Sequence, residues 1–508
     1  MKRVGILFLV LIALVAMTAA DVAAQPKVTI TGLVDNVTSY TKNLSIIDAN
    51  VARNGDTEWY ARTRVRPDIT AEVGTTKFVL GIEIDATWGQ TGATDVTAPN
   101  RFGNSHSWDL NTDALGPLEV KWAYTEFGMP IMPVPTVFRL GAQPWQAQYK
   151  LAALANGDFA GVHVTNQWTP GIKSNFTWAS IEEESTGARD GFIRGEDHAF
   201  IVSVEVTPFK GLDIRPIFSY AVFEGVTSGS ARTGKGGVTP TSTVFFPLGN
   251  HENRFTVGLD ARWRFGAFSL DPTVFYQLGN REILTSNQQL DAWFVDIRGG
   301  WQAGPLLLEL AGIYTTGNDK TDRIETGASR VKFYQPLSTD SSYYATWAEI
   351  WALGIDYFNH VHNGQGGLQT GASIGYDKYG LIRFGARSSY ALTPAFTVRA
   401  AATANWTEEE TGGTKEVITI AAGRTINNAA VSRAQMNAHD GSSYLGTEIN
   451  LGFQWRFVPN VALDAVYSYM WSGNAMAAHT ATGSAGGASN ARNPQDVQAI
   501  TARVRYTW

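Results

Sequence analysis

Cysteine is absent from the 508-residue sequence, which excludes disulfide bonds and thiolate metal sites. Beyond Met17 the chain also lacks any run of about 18 apolar residues, the length that a membrane-spanning helix needs. Charged residues make up only 17% of the chain, too few for the surface of a typical soluble protein. These shortages exclude a helical membrane protein and favour a closed β-sheet that is held together by backbone pairing.

The N-terminus has the composition of a secretory signal peptide. Lys2 and Arg3 precede an apolar run over 4–17, and small residues follow that run. We therefore predict a signal peptide over 1–24 and a single domain over 25–508.

The last nine residues alternate between apolar and polar side chains, as in a strand with one apolar face and one solvent-exposed polar face. The apolar face carries Ile500, Ala502, Val504, Tyr506 and Trp508. This face resembles the C-terminal signal by which Gram-negative outer-membrane β-barrels are recognised and inserted. The resemblance implies that location, contact with membrane lipids and lipopolysaccharide, and insertion by the barrel assembly machinery through Val504, Tyr506 and Trp508.

The same alternation recurs from Lys27 onward, in segments of about ten residues that short turns and long loops join in succession. We predict an all-β fold, a transmembrane antiparallel barrel of about 18 strands, with 16 and 20 as alternatives. The alternatives arise at 343–376, which could hold one more hairpin or belong to a very long loop. The predicted strands lie near 27–40, 58–71, 77–89, 118–128, 136–143, 159–168, 173–183, 198–207, 212–223, 252–265, 268–279, 291–301, 306–316, 381–390, 396–406, 443–457, 461–471 and 497–508.

Apolar residues of these strands are expected to face lipid, and aromatic residues cluster near the strand ends. Such rings are typical of the two girdles at the level of the lipid headgroups. The predicted girdle residues are Trp59, Trp88, Trp122, Tyr124, Trp263, Trp301, Trp406, Trp455, Tyr469 and Trp471.

Residues of the opposite parity are expected to line a water-filled lumen. Arg62, Arg64 and Arg66 form one row, and the next strand should place Glu83 and Asp85 across from it. Similar inward charges recur in later strands. The further candidate pore-lining residues are Arg139, Asp260, Arg262, Arg264, Arg298, Arg383, Arg387 and Arg399.

The sign of the charge is predicted to differ between the lumen and the loops. Removal of the signal peptide takes away two positive charges and one negative charge, so the net charge changes from -6 to about -7. The predicted inward strand positions carry 16 basic and 12 acidic residues, a balance of about +4, which leaves about -11 elsewhere. Rings of basic residues bias a pore toward anions. The alternative is that each inward arginine only pairs with a neighbouring carboxylate and stiffens the wall.

Residues 144–157 read as a short helix, with Pro144 in its first turn and Asn-Gly at its end. Trp145 and Tyr149 give it an apolar side that would be costly in water. We predict that this helix, with Trp145, Tyr149 and Lys150, folds into the barrel and narrows it, as the third loop of trimeric porins does. The alternative is a helix that packs on top of the barrel.

Short motifs on either side of this segment resemble those of porin-superfamily and alginate-export-type barrels. The motifs are Phe138-Arg-Leu-Gly-Ala-Gln143 and Asp158-Phe-Ala-Gly-Val162. Those families often carry arginine where this chain has Ala142. The alginate-export likeness implies an 18-stranded monomer with a basic conduit for an acidic polysaccharide.

The leading hypothesis is a porin for passive diffusion of small hydrophilic solutes with an anion bias, because a barrel of this size is wider than its own side chains can fill. The alternatives are an exporter or selective channel for an anionic polysaccharide or oligosaccharide, an outer-membrane hydrolase, and a structural barrel plugged by its loops. No catalytic residue, metal or cofactor is predicted, since the histidines lack a partner constellation, and His360 and His362 alone are a weak metal signal. Nucleic acid is not an expected partner, and both a monomer and a homotrimer are open.

Overall fold

The computed structural model of the chain describes most of the predicted strands and parts of the loops between them. The described residues are 26–43, 57–88, 107–108, 118–150, 154–183, 196–224, 249–283, 286–319, 322, 329–337, 347–351, 355, 379–411, 418–420, 424–426, 441–476, 478–480, 490–492 and 494–508. The predicted signal peptide and most of 343–376 lie outside these residues.

Eighteen long strands form one antiparallel sheet, which confirms the predicted fold class and strand number. The first nine are β1 Lys27–Lys42, β2 Thr57–Val73, β3 Thr76–Trp88, β4 Leu118–Gly128, β5 Thr136–Gln146, β6 Asn156–Thr169, β7 Ile172–Glu183, β8 Glu196–Phe209 and β9 Leu212–Glu224. The second nine are β10 Gly249–Phe265, β11 Phe268–Ile283, β12 Ser286–Ala303, β13 Leu306–Thr315, β14 Leu381–Thr393, β15 Phe396–Thr411, β16 Ser442–Val458, β17 Val461–Ser472 and β18 Val497–Thr507.

The sheet closes on itself because β1 pairs with β2 on one side and with β18 on the other. Closure leaves no edge strand among these eighteen, and it satisfies their backbone groups without water. The connections at one end of the barrel are turns of two to seven residues. We call this the turn end and the opposite end the loop end, where most connections are much longer. The connection 284–285 is an exception, since it is short although it lies at the loop end.

Several short strands lie at the loop end. Ser107–Trp108 and Arg330–Val331 pair in parallel with β3 and β12, respectively, and Ile418–Ile420 forms a small hairpin with Arg424–Ile426. Across the described ranges, no helix is both long enough and apolar enough to cross a bilayer.

The outer surface of the barrel is a band of exposed apolar side chains. Val257, Leu259, Leu310 and Leu451 are among the exposed residues at its middle, and Phe78 is exposed nearer the turn end. Six of the predicted girdle residues are exposed toward the strand ends: Trp59, Trp88, Trp263, Trp301, Trp455 and Trp471. A continuous apolar exterior of this kind is stable against lipid and unstable against water.

Tyr124 was predicted to face lipid, and this prediction is wrong. Its ring is buried, and the guanidinium carbon of Arg139 lies 4.9 Å from the ring centre. The cause is a β-bulge, because the pairing of β3 with β4 shifts register between Gly81 and Ile82. An extra residue on one strand reverses the inward and outward parity beyond it.

The inward-facing residues differ between the two ends of the barrel. Charged residues dominate from the middle to the turn end, whereas a buried apolar collar surrounds the loop end. The collar consists of strand residues such as Ala199, Ile201, Phe223, Phe275, Phe294, Ile313, Leu381, Leu445, Met470 and Ala499. Segments of the long connections pack against it, including Leu154, Tyr334, Leu337, Ile350 and Trp351.

Candidate functional site

The row of arginines on β2 faces the lumen and meets the carboxylates of β3. Arg64 donates to Asp85 at 2.6 Å and lies 3.3 Å from Glu83, while Arg66 also pairs with Glu83. Arg62 stacks on the ring of Tyr60, with 4.4 Å between the guanidinium carbon and the ring centre. The antiparallel register that places Arg64 opposite Asp85 produces this arrangement.

Ion pairs of the same kind continue around the wall and join neighbouring strands or, for Arg399 and Asp464, strands that are one apart. Arg139 pairs with Glu126 at 2.8 Å, and Arg387 donates to Glu309 at 2.6 Å. Asp464 accepts from both Arg399 at 2.5 Å and Arg503 at 2.9 Å. The remaining pairs of this set are Arg505–Asp35, Arg215–Glu205, Lys173–Glu205, Arg262–Asp213, Arg264–Asp271, Lys77–Glu126 and Lys121–Glu83.

The two partners of most pairs differ in their exposure to the lumen. The side chains of Asp35, Asp464 and Glu83 are only 1%, 2% and 7% exposed, whereas those of their partners Arg505, Arg399 and Arg66 are 34%, 38% and 30% exposed. A short carboxylate lies against the wall, and the longer arginine reaches over it, since its aliphatic stem can cover the surface while its head stays in water. In these three pairs the more exposed charge is positive, although each pair is neutral in sum.

Three predicted pore-lining residues are more enclosed than expected. Asp260 is buried and accepts a hydrogen bond from Thr273. Arg298 pairs with Asp296 of its own strand at 2.8 Å. Arg383 is also buried, and its Nε donates to Asn405 Oδ1 at 2.5 Å. These side chains are inward, but they hold the wall and its inner segments rather than face open lumen.

The helix predicted over 144–157 is not found in the described part of this segment. β5 continues to Gln146, and its pairing with β6 runs on through Pro144 and Asp158. The hairpin ladder keeps the chain extended, because each paired residue gains backbone bonds that a helix of this length would have to replace. Trp145 lies inside the barrel and packs edge-on against Phe159, with 5.4 Å between ring centres.

The segment that follows β5, residues 147–150 with 154–155, nevertheless enters the lumen. We call it the first inner segment. Tyr149 lies between the guanidinium groups of Arg215 and Arg262, at 3.9 and 4.4 Å from its ring centre. Its backbone N–H donates to Asp260 on β10. A ring placed between two cations makes a favourable cation–π contact.

Lys150 attaches the first inner segment to the wall at β11 and β12. Its ammonium donates to the carbonyl groups of Asp271 and Asp296 at 2.5 and 2.6 Å, on β11 and β12. Burial lowers the pKa of this ammonium from its ordinary value. β2 lies nine strands from β11, which is half of the circumference, so Arg62, Arg64 and Arg66 face this segment from the opposite wall.

A second inner segment comes from the connection between β13 and β14 and comprises residues 329–337 and 347–351. Leu337 donates its backbone N–H to the carbonyl of Leu154 at 2.8 Å, which joins the two inner segments. Sequence reasoning missed this segment. The available signal was the apolar character of inward strand positions at the loop end, such as Phe294 and Met470, which need apolar partners from the loops.

Two groups of buried polar contacts help to hold the second inner segment to the wall. Glu448 on β16 accepts the backbone N–H groups of Glu349, Ile350 and Trp351 at 2.7 to 2.9 Å. At the other attachment, Gln335 lies among buried side chains of β10 and β11. Both attachments lie in the loop half of the barrel, which also holds the apolar collar.

The C-terminal strand places its apolar residues on the outer surface, as predicted. Val504, Tyr506 and Trp508 are all exposed there, and the rings of Tyr506 and Trp508 stack at 5.7 Å. Trp508 also exchanges two backbone hydrogen bonds with Gly32 of β1, each of 3.1 Å. A side chain at Gly32 would collide with the Trp508 ring, at 2.5 Å from the added carbon. Trp508 therefore extends the backbone pairing between the first and last strands.

His163 is an inward residue of β6 with both ring nitrogens engaged. Nδ1 lies 2.8 Å from the hydroxyl of Thr177, and Nε2 lies 3.2 Å from that of Thr165. This is the environment of a structural lumen residue. No group of three or more His, Asp or Glu side chains suited to a metal ion occurs in the part of the chain that the structure describes.

Comparison with known proteins gives structural matches only. No protein-family model matches the sequence, and no curated protein sequence matches it. The chain is similar in structure to a BenF-like porin from Pseudomonas fluorescens, with 10% identity, a TM-score of 0.49 and coverage of 95% of this chain and 98% of that one. It is also similar to Pseudomonas aeruginosa OccK9 (OpdG), with 9% identity, a TM-score of 0.48 and coverage of 95% and 98%.

A third similar structure is Pseudomonas aeruginosa OpdK with vanillate, at 8% identity, a TM-score of 0.46 and coverage of 94% and 98%. Likeness at this level carries no argument about the function of this chain. The alginate-export-type resemblance of the sequence gains no support from these matches.

Proposed function

We propose that the chain is an outer-membrane porin through which small hydrophilic solutes diffuse passively. The apolar exterior suits lipid, and the polar wall from the middle to the turn end suits water. In such barrels the short turns are periplasmic and the long connections extracellular. The turn end then faces the periplasm, and the two inner segments narrow the extracellular half.

The arrangement of the ion pairs supports an anion preference. We call this arrangement layering, because the carboxylate lies against the wall and the guanidinium group lies over it, on the lumen side. Carboxylates such as Asp464 lie against the wall beneath guanidinium groups such as Arg399. A passing ion interacts most strongly with the charge closest to it, because the interaction falls with distance and is screened by salt. An anion therefore meets a favourable surface even though the ion pairs themselves are close to neutral.

We further propose that the constriction lies between Arg62, Arg64 and Arg66 on β2 and the first inner segment with Tyr149 and Lys150. These residues approach the lumen from opposite sides of the wall. Pairing with Glu83 and Asp85 fixes the guanidinium groups of Arg64 and Arg66 in place. A fixed guanidinium orients better toward an anion than a mobile side chain does.

The test of the proposed function is reconstitution of the purified mature chain in planar bilayers and in liposomes. Stepwise conductance increases in potassium chloride, together with swelling of liposomes in isosmotic sugars or amino acids, are the expected result. A matched preparation of the unfolded chain serves as the control. Absence of both conductance and swelling from the folded barrel would contradict the proposal and favour a barrel plugged by its own loops.

A finer alternative is a selective channel for an anionic oligosaccharide. The exposed guanidinium groups on β15, β18 and β2 favour it, because a polyanion would meet several cations at once. Uronate oligosaccharides would then block the chloride current at far lower concentration than the monomer does. Equal blocking by monomer and oligomer, compared at equal carboxylate concentration, would leave general diffusion as the function.

Three further assignments belong to the same proposal. Residues 1–24 act as the secretory signal peptide, and the exposed face of Val504, Tyr506 and Trp508 is the signal for the barrel assembly machinery. Lipopolysaccharide surrounds the loop end. A barrel closed by its own strands can function as a monomer, and a homotrimer would bury part of the apolar exterior.

A further inference from the structure

Trp122 of β4 lies inside the barrel, although the sequence predicted it in a lipid-facing girdle. A Cβ atom added at Gly81, an inward position of β3, would lie only 2.6 and 3.0 Å from Cε3 and Cδ2 of the Trp122 ring. The carboxylate of Asp68 lies on the same side of Gly81. The bulge between Gly81 and Ile82 that turns Tyr124 inward therefore turns Trp122 inward as well. Bulges often redirect a side chain in this way beside functional sites.

The Trp122 ring is held in place on two sides. It packs against Gly81, where any larger residue would displace it. Its indole N–H donates to Oδ1 of Asp158 on β6 at 2.6 Å. The ring is only partly buried, and because it lies inside the barrel, its exposed part faces the lumen. A rigid aromatic surface of this kind can bind the apolar face of a solute at a low cost in conformational entropy.

Charged groups of both signs border the ring. The ammonium of Lys121 lies 3.4 Å from Asp158, 3.2 Å from Glu83 and 5.8 Å from the centre of the Trp122 ring. In the pair of Lys121 with Asp158 the carboxylate is the more exposed partner, at 31% against 18% for the lysine. This order is the reverse of the layering found elsewhere on the wall. The lumen side of the ring is thus bordered by an exposed acceptor as well as by a donor.

Such a border suits a neutral solute with several hydroxyl groups better than it suits an ion. A solute anion would meet the carboxylates of Asp158 and Glu83, and a solute cation would meet Lys121 and the neighbouring Arg66. An ion that enters a site without a surplus of opposite charge loses hydration that nothing replaces. A hydroxyl group both donates and accepts hydrogen bonds, so it can bond to an ammonium and to a carboxylate.

We propose that Trp122, Lys121 and Asp158 form a binding site for a neutral pyranose sugar. The C–H face of the pyranose packs on the indole ring, and its hydroxyl groups bond to the ammonium and to the carboxylate. An apolar surface with a few well-placed polar groups is what orients a small ligand. The site rests on the proposed porin function and deepens it, since it names neutral sugars as a class of solute. Lys121 also contacts Glu83, the partner of Arg66, so the bound sugar lies beside the proposed constriction.

Saturation-transfer NMR on the folded, detergent-solubilised full barrel tests the proposal. The probe is methyl β-D-glucopyranoside, and the control solute is sorbitol, which has similar hydroxyl groups but no flat C–H face. The glucoside should receive saturation mainly at its axial C–H protons, and sorbitol should bind at least about tenfold more weakly. Absence of saturation of the glucoside, or equal binding of sorbitol, would overturn the proposal without any variant.

Three variants locate the site. W122A should weaken binding of the glucoside about tenfold, whereas W122F keeps an aromatic face and should weaken it by less than about threefold. W301A removes an exposed indole from the outer surface and should stay within about twofold of the wild type. An unchanged affinity in W122A, or an equal loss in W301A, would overturn the site.

Tetramethylammonium serves as the cationic probe. If it binds more tightly than the glucoside and loses this binding in D158N, the site is one for cations and the proposal is wrong. Binding in detergent does not require conductance, so a barrel that binds the glucoside as expected but conducts nothing would refute the porin function and retain the site. A conducting barrel whose glucoside affinity is the same in W122A as in the wild type would do the reverse.

Discussion

The two halves of the lumen wall have different interiors although the same alternation of residues builds both. From the middle to the turn end, inward positions carry ion pairs such as Arg505–Asp35 and Arg399–Asp464, with the cation on the exposed side. In the loop half, inward positions carry buried apolar residues such as Phe275 and Phe294, against which the inner segments pack. Inward polarity marks open lumen, and inward apolarity marks where the chain re-enters the barrel.

The charged residues of the loop half are the informative exceptions. Glu448 binds backbone N–H groups of the second inner segment, and Arg254 and Arg281 bind Gln335. A buried charge is retained only where hydrogen bonds compensate its desolvation. In this half the compensation comes in part from the inner segments, so buried charge there identifies the docking points of the loops. Charge in the turn half is instead exposed to the solute.

The largest effect is expected from removal of a shared carboxylate in the turn half. Asp464 is buried and pairs with both Arg399 and Arg503, so D464A leaves two guanidinium groups without their anion. The free energy of unfolding should fall by about 3 kcal/mol, the cost of breaking a buried pair. Urea titration of the barrel in detergent measures it. D271A is the matched control, because its partner Arg264 is half exposed, and it should cost less than about 1 kcal/mol.

Equal losses in D464A and D271A would contradict the view that these carboxylates differ in burial and structural importance.

A slightly smaller effect is expected in the loop half from L154A. Leu154 is fully buried, and its carbonyl accepts the Leu337 N–H, so truncation leaves a cavity where the two inner segments meet. A cavity of this kind costs about 2 kcal/mol, which should speed hydrogen exchange of the Leu337 amide about 30-fold. Exchange mass spectrometry follows this amide. L310A, on the exposed outer surface, should leave it unchanged.

Slow exchange of Leu337 in L154A would show that the inner segments do not depend on the apolar collar.

Charge reversal of the arginine row should change ion selectivity. In the variant R62E/R64E/R66E, anions would meet repulsion at the proposed constriction, and the ratio of chloride to potassium permeability should fall about tenfold, given about 1 kcal/mol per close charge pair in water. The reversal potential in a salt gradient gives this ratio. K210E, in a turn between β8 and β9, alters charge outside the wall and should have little effect. An unchanged reversal potential in the triple variant would show that Arg62, Arg64 and Arg66 do not determine ion selectivity.

The smallest predicted effect separates the net charge of the lumen from its layering. D35N/R505Q removes one carboxylate and one guanidinium, so the net charge stays the same while an exposed cation is lost. The layered arrangement predicts that the permeability ratio falls by up to about twofold, as expected for one screened charge. If only the net charge mattered, the ratio would be the same as in the wild type.

Much of the fold followed from the sequence because the strand period of two directly encodes which residues face lipid. Phe78 and Trp88 read outward, Glu83 and Asp85 read inward, and the structure places all four as predicted. Pairing of adjacent strands is local, so the contact of Arg64 with Asp85 could be inferred from one turn. The eighteen strands were predictable for the same reason.

Features that depend on distant contacts were not predictable from this pattern. The predicted helix at Pro144 competed with a ladder to β6, and the ladder prevailed because paired strands extend cooperatively from the wall. The bulge that turns Tyr124 inward changes parity without a clear local signal. The docking of Gln335 on Arg254 joins residues 81 positions apart, and neither side has a motif. The layering of cations over carboxylates could be recognised only from the burial of each side chain, which the alternation of residues does not reveal.

The most direct test of the account is the zero-current potential of the wild-type barrel across a tenfold gradient of potassium chloride. Because guanidinium groups cover the carboxylates along the lumen wall, the potential should have the sign of a channel that passes chloride in preference to potassium. A potential of the opposite sign, in a barrel that conducts, would contradict the claim that the exposed charge of the lumen is positive.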